Sequence, residues 1–266
     1  MNRLSFSRKT LGIPYMLWLV IFVAAPLLVI IFYAFTNGQG QFTLKNLSGF
    51  FTDPNTLGTL GYSLVIAIIS TAVCLLIAYP TAYFLANSRF KAKAVIVFIF
   101  VVPMWINFSL RVSALKEMLT LIEGNLAMYP FLNAIIGMTY DFLPFMILPI
   151  YNTLINLDKS YVEAARDLGA SEAKAFLRVT LPMSVPGIIS GVSMVFLPAM
   201  TNYVVLDMLY NSTFIMGSLI GSYFSAYNWN GGSMISLILL AIICVFTLLT
   251  NRQGEQNEQL KGGAIL

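Results

Sequence analysis

The stretch DKSYVEAARDLGASEAKAFLRVTLP, residues 158–182, decides how this chain is organised. It carries eight charged side chains between two long apolar runs: Asp158, Lys159, Glu163, Arg166, Asp167, Glu172, Lys174 and Arg178. Much of the remaining sequence is apolar enough to lie in lipid, where charged side chains are costly. A polar, helix-forming segment between such runs therefore has to lie at the membrane surface, where it can contact a soluble partner.

The composition sets the class of protein. Of the 266 residues, 58% are hydrophobic and 10% are charged, whereas about a quarter of the residues of a soluble domain are charged. The chain has no histidine and no G-x-x-x-x-G-K-[ST] phosphate loop, and no acid–base pair stands out. We therefore expect an all-α, polytopic membrane protein that is not an enzyme and has no metal or cofactor of its own.

Six apolar runs are long enough to cross the hydrocarbon core, which takes about 20 helical residues. They are residues 11–35, 60–86, 94–114, 131–153, 184–206 and 230–250. Since these runs follow one another along the whole chain, we expect a single transmembrane domain over residues 1–266.

Lysine and arginine are distributed unevenly between the two sides of the membrane that these spans define. If the N-terminus is cytoplasmic, 12 of the 15 basic residues lie on the cytoplasmic side, and Lys45, Arg111 and Lys116 lie outside. Loops rich in lysine and arginine remain in the cytoplasm. We therefore expect both termini and residues 158–182 to be cytoplasmic.

Residues 158–182 have the signals of two short helices joined by a tight turn. Ser160 and Glu163 fit a capping box at the start of the first helix, and Gly169 suits a left-handed position just beyond its end. Ser171 can cap a second helix that runs through Val179, and Pro182 fits the entry to the next span. Tyr161, Ala165 and Leu168 recur at helical spacing and form one apolar stripe. We expect a rigid two-helix projection that docks on a partner.

The spacing within this segment resembles the EAA loop of ABC-importer permeases. Glu163-Ala164-Ala165 is followed by Gly169 and then, after nine residues and two variable positions, by Leu181-Pro182. One departure is that Val179-Thr180 stands where the family often has an isoleucine. The resemblance covers most of the chain, from the first span to the sixth, and implies the six-helix fold of type I importer permeases in a bacterial plasma (inner) membrane.

The resemblance also implies how such a protein is driven. The segment 158–182 would be a cytoplasmic coupling loop that docks on an ATP-binding cassette ATPase dimer carried on separate chains. A second, related permease and an extracytoplasmic substrate-binding protein would complete the system, with no role for nucleic acid. The residues implied in ATPase coupling are Glu163, Ala164, Ala165, Leu168, Gly169, Leu181 and Pro182.

Within the family, three stretches resemble the permeases of spermidine and putrescine transport. They are Ile106–Arg111, Leu143–Tyr151 and Leu157–Pro186. The resemblance implies a polyamine cargo. Related permeases carry ferric iron, thiamine, phosphonates or amino acids on the same plan, so these cargoes stay open as alternatives. A secondary transporter or channel without an ATPase is a further alternative.

A path for polyamines, which are long flexible cations, requires carboxylates and aromatic faces. Asp141, in the fourth span, is a candidate for this path; alternatively it pairs with Arg111 or lies at a span edge. Asp207, after the fifth span, is either a contact for cations at the outer mouth or an ordinary loop acid. The aromatic candidates are Trp105, Phe108, Tyr140 and Tyr203.

Arg111 is a problem for such a path, because its charge would repel a polyamine. We expect it to pair with an acid, either Glu117 or Asp141, or to lie at a gate. The aromatic candidates have an alternative role as well, since rings inside a membrane protein often only pack against helices or lipid.

Overall fold

Helices make up nearly all of the regular structure in this computed structural model, which describes residues 8–88, 93–210 and 215–262. Within those ranges, β pairing consists of one isolated bridge between Thr36 and Phe42. The α-helices are α1 (Arg8–Leu19), α2 (Ala25–Ala34), α3 (Lys45–Thr52), α4 (Pro54–Asn87), α5 (Lys93–Val101), α6 (Phe108–Glu123), α7 (Pro130–Ile155), α8 (Ser160–Asp167), α9 (Glu172–Ala175), α10 (Leu181–Thr201), α11 (Tyr203–Tyr210), α12 (Met216–Ser225) and α13 (Trp229–Gly262). The all-α prediction is confirmed. Three of the basic residues used to orient the chain, Arg3, Arg89 and Lys91, lie outside the described residues.

Five helical segments are long and apolar enough to cross a membrane. They are Gly12–Ala34, Pro54–Asn87, Pro130–Ile155, Glu172–Thr201 and Trp229–Thr250. A bent pair, Val95–Trp105 with Phe108–Glu123, gives a sixth candidate if the pair is counted as one span. The six spans predicted from the sequence therefore agree with the six candidates that result when the bent pair is counted as one span.

The third span differs from the unbroken helix predicted over residues 94–114. Between its two helical arms the chain bends by 99°. Pro103 lies in a short 3-10 turn, Ile106 is extended, and the side chain of Asn107 accepts a hydrogen bond from the backbone N–H of Ser109 at 2.9 Å. Asn107 therefore starts a new helix, α6, because it caps the N–H groups that the broken backbone leaves free.

The helix that contains the fifth predicted span begins well before residue 184. A π-helical turn, Phe176–Thr180, joins α9 to α10, so that Glu172–Thr201 is one continuous helical segment. The backbone N–H of Leu181 donates to the carbonyl of Phe176, five residues back. This wide turn precedes Pro182, which has no N–H to donate. The second short helix predicted up to Val179 is thus continuous with the helix of the fifth span.

One compact unit consists of the chain up to Gly58 together with Leu219–Ile242. In it, the side-chain amide of Asn230 donates to the carbonyls of Tyr33 at 3.0 Å and Thr36 at 2.7 Å. The amide of Asn46 donates to the carbonyl of Ala34 at 2.8 Å. These bonds satisfy carbonyls at the end of α2 that have no helical partner. The apolar window of the first span is 0% buried by the rest of the described chain.

The second unit consists of Thr59–Ser218 and Ile243–Leu266, and its core lies along α7 and α10. The apolar window of the α7 span is 61% buried. Glycines allow α7 to approach its neighbouring helices closely. Against α10, a methyl group at Gly187 would lie 2.5 Å from the Oγ1 atom of Thr153. At Gly137 a methyl group would meet Val205 and Leu209 of α11 at 2.8 and 2.7 Å. Both candidate functional regions described below belong to this unit.

Candidate functional site

The N-terminus of α8 is capped by Asp158. Its Oδ1 atom accepts a hydrogen bond from the backbone N–H of Ser160 at 2.9 Å, and this bond holds the pKa of the Asp158 carboxyl below its usual range. The predicted capping box of Ser160 and Glu163 is wrong. Ser160 is already the first helical residue, and the N–H of Glu163 donates to the carbonyl of Lys159.

The C-terminus of α8 ends in the turn that Gly169 predicts. Gly169 has φ +81°, a conformation that side chains with a Cβ disfavour. The N–H of Gly169 donates to the carbonyl of Arg166 at 2.8 Å, and that of Ala170 donates to the carbonyl of Ala165 at 3.0 Å. This pair of bonds is a Schellman motif, so the direction in which the chain leaves α8 is fixed.

The helix that follows the turn is capped and anchored. The hydroxyl of Ser171 accepts from the N–H of Lys174 at 3.4 Å, as predicted. The ring of Phe176 packs edge-on against Tyr83 and Tyr79 of α4, with centroid distances of 5.1 and 5.9 Å. The hydroxyls of Tyr79 and Ser184 lie 2.9 Å apart and add a polar contact between α4 and α10. Residues 172–184 are therefore tied to the end of a spanning helix.

The surface of α8 presents apolar side chains away from the unit. Leu168 is 89% exposed and Tyr161 is 51% exposed. Ala164 is exposed as well, and Ala165 is half-buried. Exposed apolar side chains grouped on an otherwise polar helix are typical of a surface that contacts a partner.

The opposite side of α8 borders a cavity of about 680 Å³ between this helix and the ends of α4 and α7. Glu163 and Arg166 line the cavity. Arg166 also forms an exposed ion pair with Glu172 at 2.7 Å, which spans the turn at Gly169. Leu181 is half-buried and Pro182 is exposed in the first turn of α10. The seven residues predicted for coupling therefore lie in α8, its terminal turn and the start of α10.

Asp141 forms an ion pair with Arg111, one of the two partners that the sequence left open. The Nη2 atom of Arg111 lies 2.9 Å from the Oδ1 atom of Asp141, and the two side chains are 10% and 7% exposed. The guanidinium carbon of Arg111 also lies 5.8 Å from the centroid of the Phe108 ring. The pair joins the first turn of α6 to the middle of α7. A role of Asp141 in a substrate path stays a prediction.

The other aromatic candidates do not join this pair. Trp105 is 77% exposed, packs edge-on against Phe98, and lines a mostly apolar cavity of about 520 Å³ with Phe145, Asn152 and Met194. Tyr140 is 41% exposed on α7. Trp105 thus contacts Phe98 and borders this apolar cavity.

Asp207 and Tyr203 lie one turn apart on the exposed face of α11. The other face of this helix, with Val205, Leu206 and Leu209, is buried. The fifth span was predicted to include residues 203–206, but the helix breaks at Asn202 and restarts at Tyr203. The two candidates therefore belong to a separate short helix.

Sequence reasoning missed Phe176 as an anchor. The signal was present, because Tyr79 and Tyr83 are four residues apart and so share one helix face. A phenylalanine in a segment that carries eight charged side chains indicates an aromatic ring that packs against a neighbouring element. What the sequence did not reveal is which span would bury it.

The comparison with known families agrees with this geometry. Residues 78–254 match the family described as binding-protein-dependent transport system inner membrane component. The chain belongs to this family, and it is a multi-pass protein of the inner membrane.

Two similar relatives share the name spermidine/putrescine transport system permease protein PotB. The one from Escherichia coli (strain K12) is 34% identical over 255 residues, which cover 87% of this chain and 92% of that protein. The one from Haemophilus influenzae is 33% identical over 272 residues, which cover 94% of each chain.

A solved structure, the bacterial alginate ABC transporter in complex with alginate pentasaccharide-bound periplasmic protein, includes a chain of similar fold. The TM-score is 0.73 at 13% identity, over 93% of each chain. At that identity the likeness shows the fold alone, which is the permease fold of an ABC importer.

Proposed function

We propose that this chain is the permease subunit of an ATP-binding cassette importer that takes up polyamines such as spermidine and putrescine. Membership of a binding-protein-dependent transport family supports the transport role. The names of the relatives, at 33% and 34% identity over most of both chains, support the cargo.

The observation that carries the mechanism is the construction of α8. A short helix is marginal by itself, yet α8 is capped by Asp158, ends in the Schellman turn at Gly169, and precedes a helix anchored by Phe176. The outcome is a rigid helix with Leu168 and Tyr161 exposed. This supports a role in which α8 docks on an ATPase and transmits its movement to α10 through Leu181 and Pro182.

The same proposal covers the partners. An ATPase dimer would contact α8, a second, related permease would complete the membrane part, and an external binding protein would deliver the cargo. The alginate transporter of similar fold is described in complex with a periplasmic protein, which supports the last of these. The excess of basic residues on the α8 side supports cytoplasmic termini, with residues 1–266 acting as one permease domain.

Asp141, Asp207 and the aromatic residues Trp105, Phe108, Tyr140 and Tyr203 remain the candidates for the substrate path. The exposure of Asp207 and Tyr203 on one face of α11 supports a contact with cations outside the bilayer. The cavity beside Trp105 has the apolar character that the methylene segments of a polyamine prefer.

The coupling role is tested by Gly169→Val and Leu168→Asp in the full importer, reconstituted in vesicles with its partner chains. Valine at φ +81° costs roughly 1–2 kcal/mol, so the turn after α8 is deformed, and Leu168→Asp places a charge where an apolar contact is expected. Both variants should insert normally. ATP hydrolysis should persist in Gly169→Val while polyamine uptake falls about tenfold, and the ATPase should dissociate from Leu168→Asp.

Gly40→Val is the matched control, because Gly40 also has a positive φ, +77°, but lies in the loop before α3. This variant should strain only its own loop, and the amount of polyamine taken up per ATP hydrolysed should stay unchanged. A wild-type ratio in both α8 variants would remove the coupling role.

A further inference from the structure

The ion pair of Arg111 and Asp141 is a poor structural tie. Burying two charges costs more than their attraction returns unless their remaining hydrogen-bonding groups are satisfied. The Nε atom of Arg111 is buried and finds no hydrogen-bond partner within the described part of the chain. An arginine that served only to join α6 and α7 would be expected to donate two parallel hydrogen bonds from its guanidinium to the carboxylate.

The location of Arg111 is also unfavourable for a cation. It lies in the first turn of α6, immediately after the 99° break in the third span. The N-terminus of a helix has a partial positive charge, which disfavours lysine and arginine. Its attraction to Asp141 and Phe108 must offset this repulsion, so the two groups form an environment that attracts a cation.

These two groups are the ones that recognise an alkylammonium ion. A carboxylate pairs with the positive charge, and the face of an aromatic ring attracts it through the ring quadrupole. We call Asp141 and Phe108 together the cation subsite. In this structure the guanidinium of Arg111 occupies it, 2.9 Å from Asp141 and 5.8 Å from the ring centroid of Phe108.

We propose that Arg111 is a resident substitute for the transported cation, which it replaces at the cation subsite whenever no cargo is present. This inference rests on the proposed polyamine import. An ammonium group of the cargo displaces the guanidinium when α6 rotates about the break at Ile106 and Asn107, and Arg111 returns behind it. Because one cation replaces another, Asp141 is never left as an unpaired charge in the membrane, which would be costly.

The exchange of the guanidinium for an ammonium group also explains why an arginine lies in a path proposed for cations. Arg111 should block a polyamine if it stays fixed in the path, whereas a displaceable arginine competes with the cargo for Asp141 and yields the subsite to it. Once the guanidinium has returned to Asp141, it competes with the cargo for the subsite and disfavours rebinding of the cargo there. Arg111 is on this account a residue that sets the affinity of the subsite for cations, while the ATPase sets the direction of transport.

The test measures equilibrium binding of labelled spermidine to the purified importer without its external binding protein. Arg111→Gln removes the resident cation and is expected to raise the affinity about tenfold, since a competing charge is lost. Asp141→Asn and the double variant Arg111→Gln/Asp141→Asn should bind no better than wild type. Lys116→Gln, which removes a positive charge from the same helix, is the control and should leave binding unchanged.

Uptake in vesicles is measured on the same proteins. The double variant has no buried charge and should assemble normally, but its uptake of spermidine per ATP hydrolysed should fall about tenfold because the carboxylate is missing. If the pair were only a structural tie, the double variant would restore uptake and Arg111→Gln would not bind spermidine more tightly; that result overturns the inference. Absence of polyamine uptake by the wild-type importer would instead refute the proposed function.

Discussion

Two residues at the ends of α8 show what the sequence can and cannot predict at the scale of single side chains. Gly169 was predicted to lie in a left-handed turn, and it does, because only glycine adopts φ +81° without strain. The cap at the other end was assigned to Ser160, but Asp158 makes the bond. Both side chains are good caps, so the choice between them depended on where the preceding span ends.

Replacing Asp158 by alanine should loosen the first turn of α8. The hydrogen bond from Ser160 lowers the pKa of Asp158, so the ionised carboxylate stabilises the helix above the ordinary pKa of an aspartate, about 3.9, and this contribution is lost as the pH falls through the lowered value. Hydrogen exchange at the amides of Ser160 and Tyr161 should therefore be faster in Asp158→Ala at neutral pH.

Asp167→Ala is the control, because Asp167 is exposed at the C-terminal end of the same helix. It should not accelerate exchange at the first turn. The difference between wild type and Asp158→Ala should disappear in acid. Equal exchange in both proteins at neutral pH would show that the cap does not stabilise α8.

The ion pair of Arg111 and Asp141 marks the limit of sequence reasoning about the membrane interior. The need for a partner followed from the cost of an isolated charge in lipid. Which acid supplies it depends on the bend before α6, which turns Arg111 toward α7. Average hydropathy over residues 94–114 does not register that bend.

At the scale of helices, the break in the third span and the continuity of the fifth have local causes. Pro103 and Asn107 together end one helix and cap the next, and each residue alone is common inside a span. In the fifth span the π turn lets the chain pass Pro182 without a break. The sequence predicted Pro182 as a boundary because proline usually ends or starts a helix.

The packing of α7 on α10 should tolerate no added atom at Gly187. A methyl group there would lie 2.5 Å from Oγ1 of Thr153 and 2.9 Å from the carbonyl oxygen of Pro149. Overpacking of this kind costs roughly 1–3 kcal/mol. Gly187→Ala should therefore lower the midpoint of thermal unfolding of the protein in detergent by several degrees, measured by tryptophan fluorescence.

Gly221→Ala provides the comparison. A methyl group at Gly221 in α12 would have open space around it, because, apart from its own stretch of helix, the described part of the chain places no other side chain or backbone within 4 Å. Alanine is the better helix former by about 1 kcal/mol, so the midpoint should stay the same or rise slightly. An unchanged midpoint in Gly187→Ala would contradict the close approach of α7 and α10.

At the scale of the whole molecule, composition and charge predicted most of the architecture. The apolar runs predicted six spans, and the structure has five plus one bent pair. The spacing from Glu163 to Pro182 indicated the family, which the match over residues 78–254 shows. The cargo could not be predicted in this way, because the coupling segment is shared by permeases for many solutes. Evidence for a polyamine rests on the relatives' names and on side chains within the membrane.

The most direct measurement of the central claim is ATP-dependent uptake of labelled spermidine by vesicles that contain the complete importer and its external binding protein. Uptake should be saturable, should require ATP and the binding protein, and should be reduced by unlabelled putrescine. Thiamine, ferric iron and amino acids should not compete. An importer that hydrolyses ATP in response to its binding protein, but carries one of these solutes and no polyamine, would contradict the account.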